Sequence, residues 1–354
     1  MPDATSTVPV APLGRTGLAT PPMIYGASCL GNLYQALPWS TKLEIVRAWF
    51  EHAPRPVVID SAGKYGAGLA LEAIGQALRE LGVPAEDVVI SNKLAWRRVP
   101  LETDEPTFEP GAWADLEHDA VQDISADGIE RCWRQGNELL GDPYRPQLVS
   151  VHDPDEYLAA ATDDADRERR FGDVLGAYER LFELKRRGEV VAVGVGSKDW
   201  RVIQRLTDRI DLDWVMFANS MTIYRHPPEL LAFIDGLHER SVGVINSAVF
   251  HAGYLVGGRF FDYETIDPSR NDHAAVQAWR ETFWAVCDEH GVKPAHACIQ
   301  FGLRFPRAAA IALNTGSPGR VGDNAHMVAT PLGGAFWESL RSAGLIDAAP
   351  PSDP

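Results

Sequence analysis

The chain has 354 residues, 45% of them hydrophobic, enough for a large buried core and too many for a disordered polymer. Its net charge of -16 argues against nucleic acid and anionic membrane surfaces as partners and favours small neutral or weakly charged molecules. The start, MPDATSTVPVAPLG, has no basic segment followed by an apolar run, and no stretch approaches the ~18 apolar residues of a membrane span; with four scattered cysteines (Cys29, Cys132, Cys287, Cys298) and no CxxC pair, a cytoplasmic chain with free thiols and no bound metal is expected.

In chain order, residues 1–12 read as a flexible N-terminus. An apolar run over 22–26 then leads into Gly26, Ala27 and Ser28 and the stretch LGNLY, which contains Tyr34. TKLE over 41–44 has capping-box spacing and predicts a helix from Thr41 to His52. The run VVID over 57–60 ends on Asp60, and the following loop, SAGKYG, carries Tyr65 between Gly63 and Gly66. Leu71, Ile74, Leu78 and Leu81 form one stripe of a helix over 69–81. VVISNK over 88–93 ends on Lys93. Residues 100–119 are acidic and poorly periodic, with Glu102, Asp104, Glu105 and Glu109 among them, and read as an insertion. LVSVH over 148–152 ends on His152, and a helix over 171–187 closes with Lys185, Arg186 and Arg187 before Gly188.

Apolar runs over 192–196, 214–219, 243–247 and 309–313 follow. They alternate with helical patterns over 200–210, 228–240, 274–290 and 294–303, with a loop over 259–271. The tail over 348–354, AAPPSDP, reads as disordered. Strand–helix alternation repeated eight times predicts a single α/β domain over 13–347, a (β/α)8 TIM barrel of parallel strands with loop insertions at its C-terminal rim. A doubly wound open sheet is the competing fold. The two insertions follow strand ends and are candidate lids or plain surface loops.

Barrel sites lie at the C-terminal ends of strands. Three successive runs there deliver an acid (Asp60), a cation (Lys93) and an imidazole (His152), and the loop after Asp60 adds a phenol (Tyr65). Taken singly, each has a structural explanation: a cap, a paired lysine, a core histidine, a packed ring. Taken together they suit acid–base chemistry on a carbonyl or hydroxyl. An ammonium beside a phenol favours phenolate and lowers its pKa from ~10; a carboxylate holds the ammonium; an imidazole orients the substrate oxygen. None of these groups moves a hydride, so a redox role needs a cofactor.

At IDSAGKYG (59–66), ISNK (90–93) and VHDPDEY (151–157) the chain resembles the aldo-keto reductase superfamily. The resemblance runs from Leu13 to about Ile346. It implies that Asp60, Tyr65, Lys93 and His152 form a catalytic tetrad. LGNLY (30–34), HDPD, GVGSKDW (194–200) and FWESLRSAGLID (336–347) are closest to the branch of aldose 1-dehydrogenases (the D-threo-aldose or L-fucose type) and pyridoxal 4-dehydrogenases. The expected reaction is reversible hydride transfer, most specifically oxidation of an aldose at C1 to a lactone, with pyridoxal or another aldehyde as the alternative substrate.

No GxGxxG fingerprint follows a strand. The resemblance instead implies a dinucleotide, NAD or NADP, lying along the barrel rim. NTGSPGRVGDN (314–324) would hold its adenosine end through Gly316, Arg320, Asp323 and Asn324, on a helix starting near Arg320. Gly26, Ala27, Gly196, Ser197, Asn219 and Ser247 are further candidates. Ser317 stands where many members carry a basic residue, which tilts the expectation to NAD. Tyr34, Trp96 and Phe250, with Trp39, are candidate walls for a small-molecule substrate. A monomer or homodimer is expected. Two other classes stay open on the residues alone: a non-catalytic nucleotide-sensing barrel, and a metal-dependent hydrolase, for which His118, His152, His226 and His251 are too dispersed.

Overall fold

The computed structural model describes residues 10–262 and 264–347. Its centre is a closed barrel of eight parallel strands in sequential order: β1 Met23–Gly26, β2 Val57–Ala62, β3 Val88–Leu94, β4 Leu148–His152, β5 Ala192–Ser197, β6 Trp214–Ala218, β7 Gly243–Ser247 and β8 Ala310–Leu313. The open-sheet alternative is thereby excluded. Around it lie helices α1 Trp39–His52, α2 Leu69–Glu80, α3 Ala126–Leu140, α4 Pro154–Ala159, α5 Asp164–Arg186, α6 Trp200–Thr207, α7 Pro228–Glu239, α8 Asn271–Glu289, α9 Pro294–Arg304, α10 Gly319–Ala329 and α11 Gly334–Ser342.

Side chains alternate between the two faces of each strand. One set, including Ile24, Val58, Val89, Leu148, Ala192, Trp214, Met216, Ile245 and Ala310, fills the barrel as an inner core. The other set, including Tyr25, Val57, Ile59, Val149, Val193 and Phe217, packs beneath the helices as a larger outer core. Leu13 joins the inner core from a hairpin of Ala11–Pro12 with Ala19–Thr20. That hairpin sits at the N-terminal end of the barrel. Residues 1–9 and the expected tail over 348–354 lie outside the described residues. No described helix is long and apolar enough to cross a membrane.

The predicted strands and most helices fall within a few residues of their observed bounds, and the departures have local causes. Helix α1 starts at Trp39 from an extended Pro38 rather than at Thr41, so TKLE forms no capping box. Helix α5 begins at Asp164, where Asp163 accepts from the Asp166 N–H at 2.8 Å; its first two turns are charged and carry no apolar stripe. Helix α3, capped by Ser125, was not anticipated, although Ile129, Cys132, Trp133 and Leu140 bury one stripe of it. The insertion over 100–119 is flanked by a two-stranded ribbon, Trp96–Pro100 against His118–Gln122.

Candidate active site

Strand register explains why the three strand-end residues meet. Asp60 pairs with Ser91, two residues before Lys93, and Lys93 pairs with Ser150, two residues before His152. A step of two keeps the inward face, so the barrel's stagger lifts Asp60, Lys93 and His152 along one interior staircase. Asp60 lies directly above Val58, whereas Ser91 and Ser150 separate Lys93 and His152 from Val89 and Leu148, where the apolar filling ends.

All three are buried. The Lys93 ammonium donates to Asp60 Oδ2 and to the Ser61 carbonyl at 3.4 Å, while Asp60 Oδ1 accepts from Ser91 Oγ at 3.0 Å. Lys93 Nζ lies 4.8 Å from the centre of the half-buried Tyr65 ring. The His152 ring meets Tyr65 edge-on, with centroids 5.6 Å apart at 84°. Gly196 completes the packing, since a Cβ there would lie 3.1 Å from Lys93 Cδ. The loop of Tyr65 is equally tight: Gly66 has φ 62°, and a Cβ on it would sit 2.3 Å from the Gly31 carbonyl oxygen.

Electrostatics follows from this burial. Desolvation would lower Lys93, but Asp60 and Tyr65 hold it above the usual lysine range, so it stays an ammonium. His152 is driven well below its ordinary value by burial and then by the cations Lys93 and Lys64, so its imidazole is neutral. Burial pushes the Tyr65 phenol up to about 12, against the downward pull of Lys93. This corrects the expectation of a lowered phenol: the ammonium acts in the expected direction, and desolvation outweighs it.

Lys64, passed over in the sequence, is a second buried cation beside Tyr65. Its side chain is 2% exposed, and Nζ pairs with Glu109 at 2.7 Å, Glu156 at 2.8 Å and Asp153 at 3.4 Å. Asp153 Oδ2 also lies 3.6 Å from His152 Nε2. Burial favours the neutral amine, but the three carboxylates outweigh it and keep Lys64 charged. The signal in the sequence was a lysine locked between Gly63 and Tyr65, with the acids of HDPDE following β4.

The expected dinucleotide contacts spread over the rim. Gly26 closes β1 against Asn314, and the Ala27 N–H donates to the Asp60 carbonyl at 2.9 Å. Ser197 and Ser247 are engaged within the fold, their hydroxyls donating to the Asp199 carbonyl at 3.2 Å and the Phe217 carbonyl at 2.9 Å. Asn219, with φ 58°, follows β6 and keeps its buried Oδ1 without a hydrogen-bond partner among the described residues. Gly316 lies beside Leu37. Helix α10 starts at Gly319, close to the expected Arg320; Arg320 and Asp323 are exposed and Asn324 is half-buried. An unpaired acceptor above β6 and an exposed cation in the first turn of a helix fit a carboxamide and a phosphate-bearing group.

Of the candidate walls, Trp96 lies under the Lys64 ammonium, 4.8 Å from its ring centre, and has its indole Nε1 buried without a partner among the described residues. Tyr34, 48% exposed, stacks on Phe260 at 6.1 Å. Phe250 is half-buried against the outer core. Trp39 belongs to the helical layer instead, where its indole donates to Glu80 at 3.1 Å. Among the described residues no cluster of His, Cys, Asp and Glu could hold a metal ion.

The aldo/keto reductase family profile matches residues 22–344. Among curated proteins, the chain is 28% identical to pyridoxal 4-dehydrogenase of Microbacterium luteolum, covering 94% of this chain and 97% of that one. It is 26% identical to D-threo-aldose 1-dehydrogenase of a Pseudomonas species, covering 97% and 99%. Among solved structures, the holo form of aldo-keto reductase AKR11C1 from Bacillus halodurans superposes with a TM-score of 0.69 at 19% identity, covering 97% and 98%. Glycerol dehydrogenase AKR11B4 from Gluconobacter oxydans gives 0.65 at 14%, covering 98% and 99%. The two structures share the barrel fold.

Proposed function

The chain belongs to the aldo/keto reductase family, and on that premise we propose that it transfers hydride between a nicotinamide dinucleotide and a small carbonyl or alcohol, with Tyr65 as the proton carrier. The observation that carries this reading is the Lys93 ammonium, held by Asp60 and lying 4.8 Å from the Tyr65 ring centre. The dinucleotide supplies the hydride acceptor or donor. In reduction the Tyr65 hydroxyl gives its proton to the carbonyl oxygen as negative charge develops there. In oxidation the Tyr65 phenolate takes the hydroxyl proton, and Lys93 stabilises that phenolate. Asp60 keeps Lys93 charged and aimed, and the neutral His152 offers a ring N–H to align the substrate oxygen.

Asn219 is assigned to the carboxamide, and Arg320, Asp323 and Asn324 to the adenosine end. Gly26, Ala27, Gly196, Ser197, Ser247 and Gly316 are assigned to the shape of the dinucleotide channel. With Ser317 three residues before Arg320, the chain offers little to grip a second phosphate, which favours NAD over NADP.

For the substrate, we infer a cyclic hemiacetal oxidised to a lactone. Aldoses close to such rings, and so does pyridoxal, through its neighbouring hydroxymethyl group. The names of the two curated relatives support this class without deciding between its members. Trp96, Tyr34 and Phe250 are its proposed walls. The test is absorbance at ~340 nm, where the reduced nicotinamide absorbs, with NAD and NADP each offered L-fucose, D-arabinose, L-galactose and pyridoxal. Reduced cofactor appearing with at least one ring substrate is the expected result. No turnover with any of them, in either direction, overturns the reading.

A further inference from the structure

Between the two strands of the ribbon after β3, residues 101–117 fold back over the loop that carries Tyr65. They bring a small core of their own: Phe108, Trp113 and Leu116 are each less than 10% exposed and pack with Ala67 and Tyr65. The Trp113 and Tyr65 ring centres are 6.0 Å apart, and Phe108 bridges from Trp113 to Trp96 at 6.0 and 6.1 Å. The cap is sewn to the loop after β1 by backbone bonds, Tyr34 N–H to the Ala112 carbonyl at 2.7 Å and Ala114 N–H to the Asn32 carbonyl at 3.0 Å.

One carboxylate fastens this cap to the site. Glu109 Oε1 pairs with Lys64 Nζ at 2.7 Å, while Glu109 Oε2 accepts from the Trp113 indole N–H at 2.8 Å. Lys64 is the residue just before Tyr65 and has nowhere to move, with Glu156 and Asp153 on its other sides. Glu109 itself sits at φ 45°, so the turn that aims its carboxylate is specific. The two oxygens thus link a fixed ammonium to a fixed indole, and the indole to the Tyr65 ring.

We propose that Glu109 is a positioning residue that holds Trp113 as an aromatic wall beside Tyr65, and that this wall selects substrates presenting a flat or apolar ring face over open-chain carbonyl compounds. The proposal rests on the function proposed above for Tyr65. An indole face packs well against the C–H face of a sugar ring or against a pyridine ring, whereas a two- or three-carbon chain covers little of it. The inward residues above the apolar filling on β2–β5, Asp60, Ser91, Lys93, Ser150, His152 and Gly196, are polar or glycine and include no aromatic ring.

The test compares Glu109→Ala, Glu109→Gln and Trp113→Ala with the unmodified chain, using a ring substrate and glyceraldehyde. In Glu109→Ala and Trp113→Ala, KM for the ring substrate should rise roughly tenfold, with a smaller change in kcat and a smaller change in KM for glyceraldehyde. Glu109→Gln retains an acceptor for the indole and should fall between. Hydrogen exchange over 107–116 should quicken in Glu109→Ala while the barrel strands stay protected. Unchanged exchange over 107–116 removes the fastening and overturns the proposal. Faster exchange with the same loss for both substrates overturns the selectivity. If the unmodified chain turns over neither substrate, the function proposed for Tyr65 fails instead, and exchange alone then decides whether Glu109 fastens the cap.

Discussion

The rim above β2–β4 and the rim above β6–β8 crown the same barrel but differ in how their charges are placed. In the first, every buried charge is answered from within the fold: Lys93 by Asp60, and Lys64 by Glu109, Glu156 and Asp153. In the second, Asn219 Oδ1 is buried without a partner among the described residues, and Arg320 and Asp323 stand exposed on α10. Residues that must hold a proton at a defined point are pre-set by the fold, because a misplaced buried charge is costly. The residues proposed to hold the dinucleotide, Asn219 and Arg320, have hydrogen-bonding capacity left for it. On this view, substitutions in the first sector damage chemistry and stability together, and those in the second damage binding alone.

The sharpest way to break that contrast is at Tyr65. Tyr65→Phe should lower turnover by at least about two orders of magnitude, the scale of a lost general acid–base group, with dinucleotide affinity preserved. Rate assays paired with calorimetric titration of the cofactor read both quantities. Next is Lys93→Met, which leaves Asp60 as an unpaired buried carboxylate. It should cost roughly 3–5 kcal/mol of stability, seen as a lower urea midpoint, and Asp60→Asn in the same chain should restore part of it. A midpoint unmoved by Lys93→Met would mean that the first sector is not pre-set. Smallest is Arg320→Ala, expected to weaken dinucleotide binding by about two- to fivefold, the range of a cation contact at an exposed site, and to leave the urea midpoint where it was. A drop in the midpoint there would erase the distinction between the sectors.

The sequence made the barrel legible because buried parallel strands are short apolar runs, and helices between them show a different period. Asp60, Lys93 and His152 stood out because an ionisable residue at the end of such a run has few structural uses. The Lys64–Glu109 pairing was not legible: 45 positions separate the two residues, and only the folded cap brings them together. The phenol's direction of shift was misread for a related reason. Proximity of Tyr65 to a lysine follows from motif spacing, but desolvation depends on how deeply the folded chain, Trp113 included, buries the ring. The charged start of α5 escaped because it carries no apolar stripe, whereas α3 has one in Ile129, Cys132, Trp133 and Leu140 that was passed over.

The proton carrier is tested most directly by the pH dependence of single-turnover oxidation at saturating cofactor. Because the Tyr65 phenol is held up at about 12, its phenolate fraction grows tenfold with each pH unit below that value, and it is the phenolate that oxidation needs. The account predicts a rate that climbs with pH through the alkaline range, a climb that Tyr65→Phe abolishes, and no break near 6.5 because His152 stays neutral. A rate that is flat above neutrality, or one that titrates near 6.5 in both the unmodified chain and Tyr65→Phe, would contradict it.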